Sequence, residues 1–254
     1  MYLDLISNFK EKIKSGPVFG PFSKSTDPAF IEIMGYSGFD FVILDMEHGP
    51  NGLLNMQNLI RAAQLTNIVP IVRVKEDNRS LMANVLDIGA AGIQVPHVKC
   101  AEDVKEIINM TKFSPLGSRG MCRFVRSADY SFINGKDYFK YANESLIIIQ
   151  IEGKEGVENL DSIINQGGFD ILFVGPYDLS QSLGVPGQIE HPLVEKTINE
   201  IVKKCKEKNI VVGNFNDDAQ MAKKWIKLGM KYISYSVDTG IFSEGCKTII
   251  NNLK

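Results

Sequence analysis

The sequence predicts an α/β protein built as a single (β/α)8 TIM barrel. Three features of the chain predict it. Eight short runs are rich in Val, Ile and Phe: 18–21, 39–44, 69–73, 92–95, 146–151, 171–174, 210–213 and 232–236. Segments of helical period fill most of the gaps between them, and polar or charged residues follow the runs at once. The runs are nearly continuously apolar, the pattern of strands buried on both faces. Eight strands alternating with helices point to a closed parallel barrel. A doubly wound open sheet obeys the same alternation, but no G-x-G-x-x-G follows the first run, which weakens a dinucleotide-binding version.

The elements follow in order. Residues 1–16 form a charged amphipathic stretch that lacks the apolar core of a signal peptide. After the second run, 53–65 sets Leu53, Met56, Leu59, Ile60 and Ala63 at spacings of three and four, which predicts a helix. Helices are also expected over 197–208 and 217–228, the second with Met221, Trp225 and Leu228 on one face and Asp217 or Asn216 as its cap. Gly35, Gly89 and Gly229 stand near helix ends, where a left-handed residue is wanted. One gap is unusually long. Residues 112–145 carry three arginines, several aromatics and a Gly-rich turn, and read as a lid or binding loop, or as a surface excursion that contacts another subunit. The expected organisation is one barrel domain over 1–254 with a loop insertion at about 112–145.

Composition excludes several functions. A chain of 254 residues suits one barrel, and 44% hydrophobic residues bury a core without disulfides. The net charge of −2, with dispersed lysines, offers no basic stripe for nucleic acid. No apolar run reaches the ~20 residues of a membrane span. The four cysteines form no C-x-x-C pair and only three histidines are present, which argues against a structural zinc site. A soluble cytoplasmic protein with idle thiols is expected.

In a barrel, catalytic groups gather at the C-terminal ends of the strands. The second run leads into Asp45-Met46-Glu47-His48-Gly49-Pro50 and the third ends in Arg73. The fifth holds Gln150 and precedes Glu152, and the sixth precedes Gly175-Pro176-Tyr177-Asp178. Adjacent strands lie ~4.8 Å apart, so Glu152 and Asp178 can converge on one cation. With oxygen ligands only, that cation is hard: Mg²⁺, Mn²⁺ or Co²⁺. Asp178 as a cap for a helix beginning at Leu179 is the bland alternative. His48 suits acid–base work at neutral pH, with Asp45 or Glu47 to orient it, or is a surface histidine in a turn. Arg73 suits a carboxylate or a developing oxyanion, or forms a structural ion pair. His97 follows the fourth run, and His191 precedes Pro192 in a helix-start turn, where no chemistry is assigned to it. No candidate strand contains a lysine, which disfavours a Schiff-base mechanism.

Across residues 39–238 the sequence resembles the HpcH/HpaI aldolase family of metal-dependent pyruvate aldolases. The carriers are Phe-Val-Ile-Leu-Asp45-Met-Glu-His48, Pro70-Ile-Val-Arg73, Leu86-Asp87-Ile-Gly89-Ala, Gly117-Ser-Arg119-Gly120, Gln150-Ile-Glu152 and Phe173-Val-Gly175-Pro176-Tyr-Asp178-Leu-Ser180. The resemblance implies a divalent metal held by Glu152 and Asp178. It implies proton transfer by His48, transition-state stabilisation by Arg73, and substrate contacts from Gln150 and the turn Gly175, Pro176, Tyr177, Asp178. It also implies that Asp87 raises the basicity of the histidine. Asp87 falls near a helix end, away from the rim, so such a contact would have to cross a subunit interface. Family members are commonly hexamers, which implies a homo-oligomer. The implied substrates are pyruvate and an aldehyde, or another 2-oxo acid, joined or released as a 2-oxo-3-deoxy or 4-hydroxy-2-oxo acid. Citrate-synthase-like condensation or malyl/citryl-type cleavage through the same enolate is the second reading, and a non-catalytic small-acid-binding barrel the third. The chain departs from common members at Met-Cys-Arg123-Phe-Val-Arg126, at His97 and at Tyr177, which leaves the electrophile open. The arginines of the long loop would suit a polyanionic partner.

Overall fold

Eight parallel strands pair in sequence order, and the last closes on the first to make a barrel. The structure is a computed structural model that describes residues 2–75 and 79–254. The strands are β1 (Val18–Ser23), β2 (Phe41–Asp45), β3 (Val69–Arg73), β4 (Gly92–Val95), β5 (Leu146–Ile151), β6 (Ile171–Val174), β7 (Val211–Asn216) and β8 (Tyr232–Val237). All eight runs are strands. Four of them extend further than the apolar runs, β1 to Ser23, β2 to Asp45, β7 to Asn216 and β8 to Val237.

Helix α1 (Tyr2–Ser15) sends Ile6, Phe9 and Ile13 into the N-terminal mouth of the barrel. They pack on the inward-facing Val18, Phe41, Val69, Leu146 and Tyr232, so that end is a filled core. The larger outer core lies between the strands and the surrounding helices α2 (Pro28–Tyr36), α3 (Leu53–Leu65), α4 (Arg79–Asp87), α5 (Ala101–Thr111), α6 (Gly135–Ala142), α7 (Lys154–Glu158), α8 (Leu160–Gln166), α9 (Pro176–Ser182), α10 (Pro192–Glu207) and α11 (Ala219–Leu228).

Several helix ends differ from expectation for local reasons. Helix α10 begins five residues earlier than the periodicity suggests, because His191 caps it by accepting from Leu193 N and Pro192 pre-sets its first turn. Helix α11 is capped by Asp218, which accepts from Gln220 N and Met221 N. The expected caps fail because Asn216 is still in β7. Gly89 (φ 100°) and Gly229 (φ 107°) are left-handed as expected, but Gly35 is inside α2 and Gly38 (φ 92°) takes that conformation after it. At Gly35 a side chain would collide with Thr66, so this glycine lets α2 approach the end of α3.

The long segment 112–145 is not a lid over the strand ends that carry His48. It joins α5 to β5, which puts it at the N-terminal end of the barrel. It has a small core of its own, Phe113, Ala128 and Tyr138, and is tied down where Lys112 Nζ donates to Asn143 O (2.7 Å) and Ser145 O (2.5 Å). Arg119 pairs with Asp87 and Arg126 bonds Gln64 and Ile88 O, all at that end.

Helix α12 (Asp238–Leu253) leaves the barrel. Asp238 is its only buried residue, and every residue of 241–254 is exposed. Phe242, Cys246, Ile249 and Leu253 recur at spacings of four, three and four, which lines them on one face. On β1, outward-facing Phe19 is 40% exposed, whereas outward-facing Val42, Val72 and Ile93 on β2–β4 are fully buried. No helix among the described residues is long and apolar enough to cross a membrane.

Candidate active site

Inward-facing positions at the C-terminal ends of the strands are polar where those at the other end are apolar. Asp45 and Arg73 sit in register on β2 and β3, and Arg73 is in register with Gln94 on β4. Arg73 Nε donates to Asp45 Oδ1 (2.9 Å) and Nη2 to Oδ2 (2.8 Å). Its Nη1 lies 2.9 Å from Glu47 Oε2, and its guanidinium stacks 4.7 Å from the centre of the Phe22 ring. Burial opposes ionisation of Asp45, yet Arg73 and the amides of His48 and Glu47 outweigh it and hold the carboxyl below its ordinary range. Burial likewise works against the Arg73 cation, but Asp45, Glu47 and Glu152 raise it on balance.

Asp45 also builds the turn that carries His48. Its Oδ1 accepts from Glu47 N (3.0 Å) and His48 N (3.3 Å). The imidazole projects into open space with its side chain 58% exposed, and its Nε2 is 3.8 Å from Glu47 Oε2. Asp45 thus orients the histidine through the backbone, while Glu47 stands nearest the ring.

On β5, Gln150 is buried and links two groups. Gln94 Nε2 donates to its Oε1 (2.6 Å), and its own Nε2 donates to Glu152 Oε2. Glu152 is 2% exposed. Burial, with Asp178 adding repulsion, raises its pKa above the ordinary glutamate value, although Gln150 and His97 pull the other way. The neighbouring strand allows this crowding because residue 175 is glycine: a Cβ there would stand 2.5 Å from Glu152 Oε2 and 3.3 Å from Gln150 Nε2. Asp178 is not the cap of its helix. The cap position of α9 is Gly175, and Asp178 is in the first turn.

Arg73, His48, Gln150, Gly175, Pro176, Tyr177 and Asp178 all line one cavity of about 280 Å³. Its other wall is Phe22, Phe173, Phe215 and Val237, with Lys24 beside them. The Tyr177 hydroxyl bonds Asp217, which pushes its pKa up to about 12. Asp178 has no hydrogen-bond or ion-pair partner among the described residues. Two carboxylates crowded at one rim, one of them buried and resisting ionisation, fit a hard divalent cation as shared counter-charge. The fit is a two-carboxylate site with open positions, since no group of three or more His, Cys, Asp or Glu side chains suited to a metal occurs among the described residues.

Asp87 is not brought to His48 within the chain. It ends α4 at the opposite end of the barrel, where Arg119 Nη2 binds its Oδ1 at 2.5 Å. The loop arginines do not line this cavity either: Arg119 and Arg126 are bound to Asp87 and Gln64 at the other end of the barrel. Two contributors were undervalued by the sequence. Gln94 lies in an apolar run, but its inward parity with Gly92 was readable. His97 bonds Glu152, which only the backbone geometry of its loop makes possible.

The model of the HpcH/HpaI aldolase/citrate lyase family matches residues 19–244, which cover all of the barrel strands but the first residue of β1. The chain belongs to that family. It is 35% identical to the 2-keto-3-deoxy-L-rhamnonate aldolase of Salmonella gallinarum (strain 287/91 / NCTC 13346), covering 94% of this chain and 91% of that one. A crystal structure of an HpcH/HpaI aldolase/citrate lyase family protein from Burkholderia cenocepacia J2315 superposes with a TM-score of 0.91 at 28% identity, over 97% of this chain and 98% of the other. The citrate synthase SbnG superposes with a TM-score of 0.86 at 31% identity, over 96% of each chain. This HpcH/HpaI family member is a carbon–carbon lyase of the aldolase type.

Proposed function

We propose that the protein is a divalent-metal-dependent aldolase that joins pyruvate to an aldehyde, or releases them, from a 2-oxo-3-deoxy or 4-hydroxy-2-oxo acid. The convergence of Arg73, His48, Gln150 and Asp178 on one cavity, with Glu152 behind them, carries this reading. Glu152 and Asp178 would hold Mg²⁺, Mn²⁺ or Co²⁺, which supplies Lewis acidity towards the carboxylate and keto oxygens of pyruvate. Arg73 lines the cavity with three of its five N–H groups engaged by Asp45 and Glu47 among the described residues, and its positive charge would oppose charge growing on the keto oxygen. Gln150 and the turn at Gly175, Pro176 and Tyr177 orient the substrate. His48, open to solvent and held by the Asp45 turn, would take the proton from the aldol hydroxyl during cleavage and deliver it, directly or through water, to the methyl carbon of the enolate, with the reverse transfers in condensation and in methyl exchange.

The test is exchange of the pyruvate methyl protons in D2O, followed by proton NMR with Mn²⁺ or Mg²⁺. Exchange that stops with a chelator and falls sharply in His48→Ala is expected. No exchange with any metal would remove pyruvate as the nucleophile.

Lys24 favours a second reading for the electrophile. Its ammonium has no ion-pair partner among the described residues, and it lines the same cavity as Asp178. Condensation with an anionic electrophile such as oxaloacetate would use it. Comparing oxaloacetate with simple aldehydes, in the native protein and in Lys24→Gln, separates the two.

The same reading includes a cytoplasmic setting, supported by four free cysteines, and a homo-oligomer of one-domain subunits, supported by the uncovered face of α12. A partner subunit is also the route by which Asp87 could influence a histidine.

A further inference from the structure

His97 follows β4 and points back towards the end of β5. Its backbone is left-handed (φ 54°), a conformation that His, Asn and Asp tolerate better than other non-glycine residues. That conformation brings two nitrogens of one residue close to one atom. The His97 amide lies 2.9 Å from Glu152 Oε1, and its Nδ1 lies 3.1 Å from the same oxygen. The far side of the ring faces Glu47, with Nε2 3.4 Å from Oε1.

A carboxylate oxygen has two lone-pair directions. On Glu152, Oε1 accepts the His97 amide and has the imidazole at ion-pair distance, while Oε2 receives one bond, from Gln150, and keeps one direction open. Gly175, which precedes the Asp178 turn, lies on the Oε2 side. We infer that His97 is a positioning residue: its amide and imidazole hold Glu152 by Oε1, which keeps Oε2 turned towards the side from which a divalent cation would be bound. His97 itself stays out of the ligand set. Its ring also lies between Glu152 and Glu47, one of the two acids that pair with Arg73. The inference rests on the metal-dependent reading above.

The test is Mn²⁺ binding, read from the EPR signal of free Mn²⁺, in the native protein and two variants. His97→Gly keeps the amide donor and the left-handed backbone but removes the ring. His97→Asn keeps the backbone tolerance and restores a short side-chain donor. Loss of an outer partner of a metal ligand typically weakens affinity about 10–100-fold. The expected result is a rise of that size in the Mn²⁺ Kd for His97→Gly, partial recovery in His97→Asn, and pyruvate exchange that returns towards the native rate at saturating Mn²⁺. An unchanged Kd in His97→Gly, with native binding intact, overturns the role of His97 alone. Absence of Mn²⁺ binding by the native protein overturns the metal-dependent reading and the inference with it. Circular dichroism and thermal melting show whether each variant is folded, and a glycine variant that melts with the native protein but binds Mn²⁺ weakly separates positioning from general stability.

Discussion

Arg73 and Asp45 meet across neighbouring strands in a two-pronged pair, with N–H···O distances of 2.9 and 2.8 Å, and Asp45 has no exposed surface. Asp45 simultaneously caps the turn that presents His48. One buried carboxylate therefore fixes both groups proposed to act on the substrate. Removing it leaves the Arg73 charge and two amides without their acceptor. Asp45→Ala should lose about 3–5 kcal/mol of stability by urea denaturation, the usual cost of breaking a buried ion pair on one side. The double variant with Arg73→Ala should lose less than the sum of the single losses. The folded-state pKa of Asp45 is depressed, so its contribution is present above ~4, the unfolded value, and is lost as pH falls through the folded value. Native and Asp45→Asn proteins should therefore converge in stability on acidification. Additive single losses, or a difference independent of pH, would show that the pair is energetically idle.

The barrel was legible because its strands are buried on both faces, and such strands write their burial as apolar runs such as Leu146 to Ile149. The polar rim was legible by the same logic, since Asp45, Arg73 and Gln150 interrupt or end those runs. The place of the long loop was not legible, because length and composition do not say on which end of a barrel a segment lies; the order helix-then-strand puts 112–145 opposite the cavity. His97 was underrated because its role depends on a positive φ, which no spacing records. The outward course of α12 was also hidden. Its apolar stripe looks like that of any helix packed on its own barrel, and the difference lies in what covers it.

Gly175 is the steric condition for the two carboxylates to share a rim. A methyl group there would stand 2.5 Å from Glu152 Oε2 and 3.0 Å from Glu152 Cβ, both under van der Waals contact. Glu152 is walled in by Gln150 and His97, so it cannot simply swing away. Gly175→Ala should lower pyruvate exchange at least about tenfold and cost about 1–3 kcal/mol of stability, the range for overpacking a tight site. Its φ of −88° suits alanine, so backbone strain does not contribute. Native exchange in this variant would mean that Glu152 is free to move.

Lys112 should give stability an alkaline dependence. Its ammonium is buried at the N-terminal end of the barrel, and burial pulls its pKa down to about 8 from 10.5. Between those two values the unfolded chain binds a proton that the folded chain has released, so stability rises with pH there. Lys112→Met lacks the effect. Relative to that variant the native protein should gain on the order of 3 kcal/mol between pH 8 and 10.5, the energy of the shift. Urea titrations at three pH values in that range suffice, and parallel curves for the two proteins would contradict it.

Helix α12 should hold the assembly together. Phe242 is 63%, Ile249 60% and Leu253 78% exposed, and they share one face of a helix whose remaining surface is largely polar. Phe19 on the adjoining strand is 40% exposed, so the place where a barrel normally seats its last helix is also uncovered. A helix with an open apolar face and a barrel with an open seat are complementary, and a second copy of the chain supplies both at once. A two-fold pairing of this kind is self-complementary and closes without leaving either surface in water. Ile249→Asp with Leu253→Asp places two charges in that contact, while no packed residue of the barrel is touched. Light scattering should show the native protein as an oligomer and the double variant as a smaller species with an unchanged circular dichroism spectrum. Equal masses for the two would mean that α12 is not what joins the subunits, and a native monomer would remove the oligomer itself.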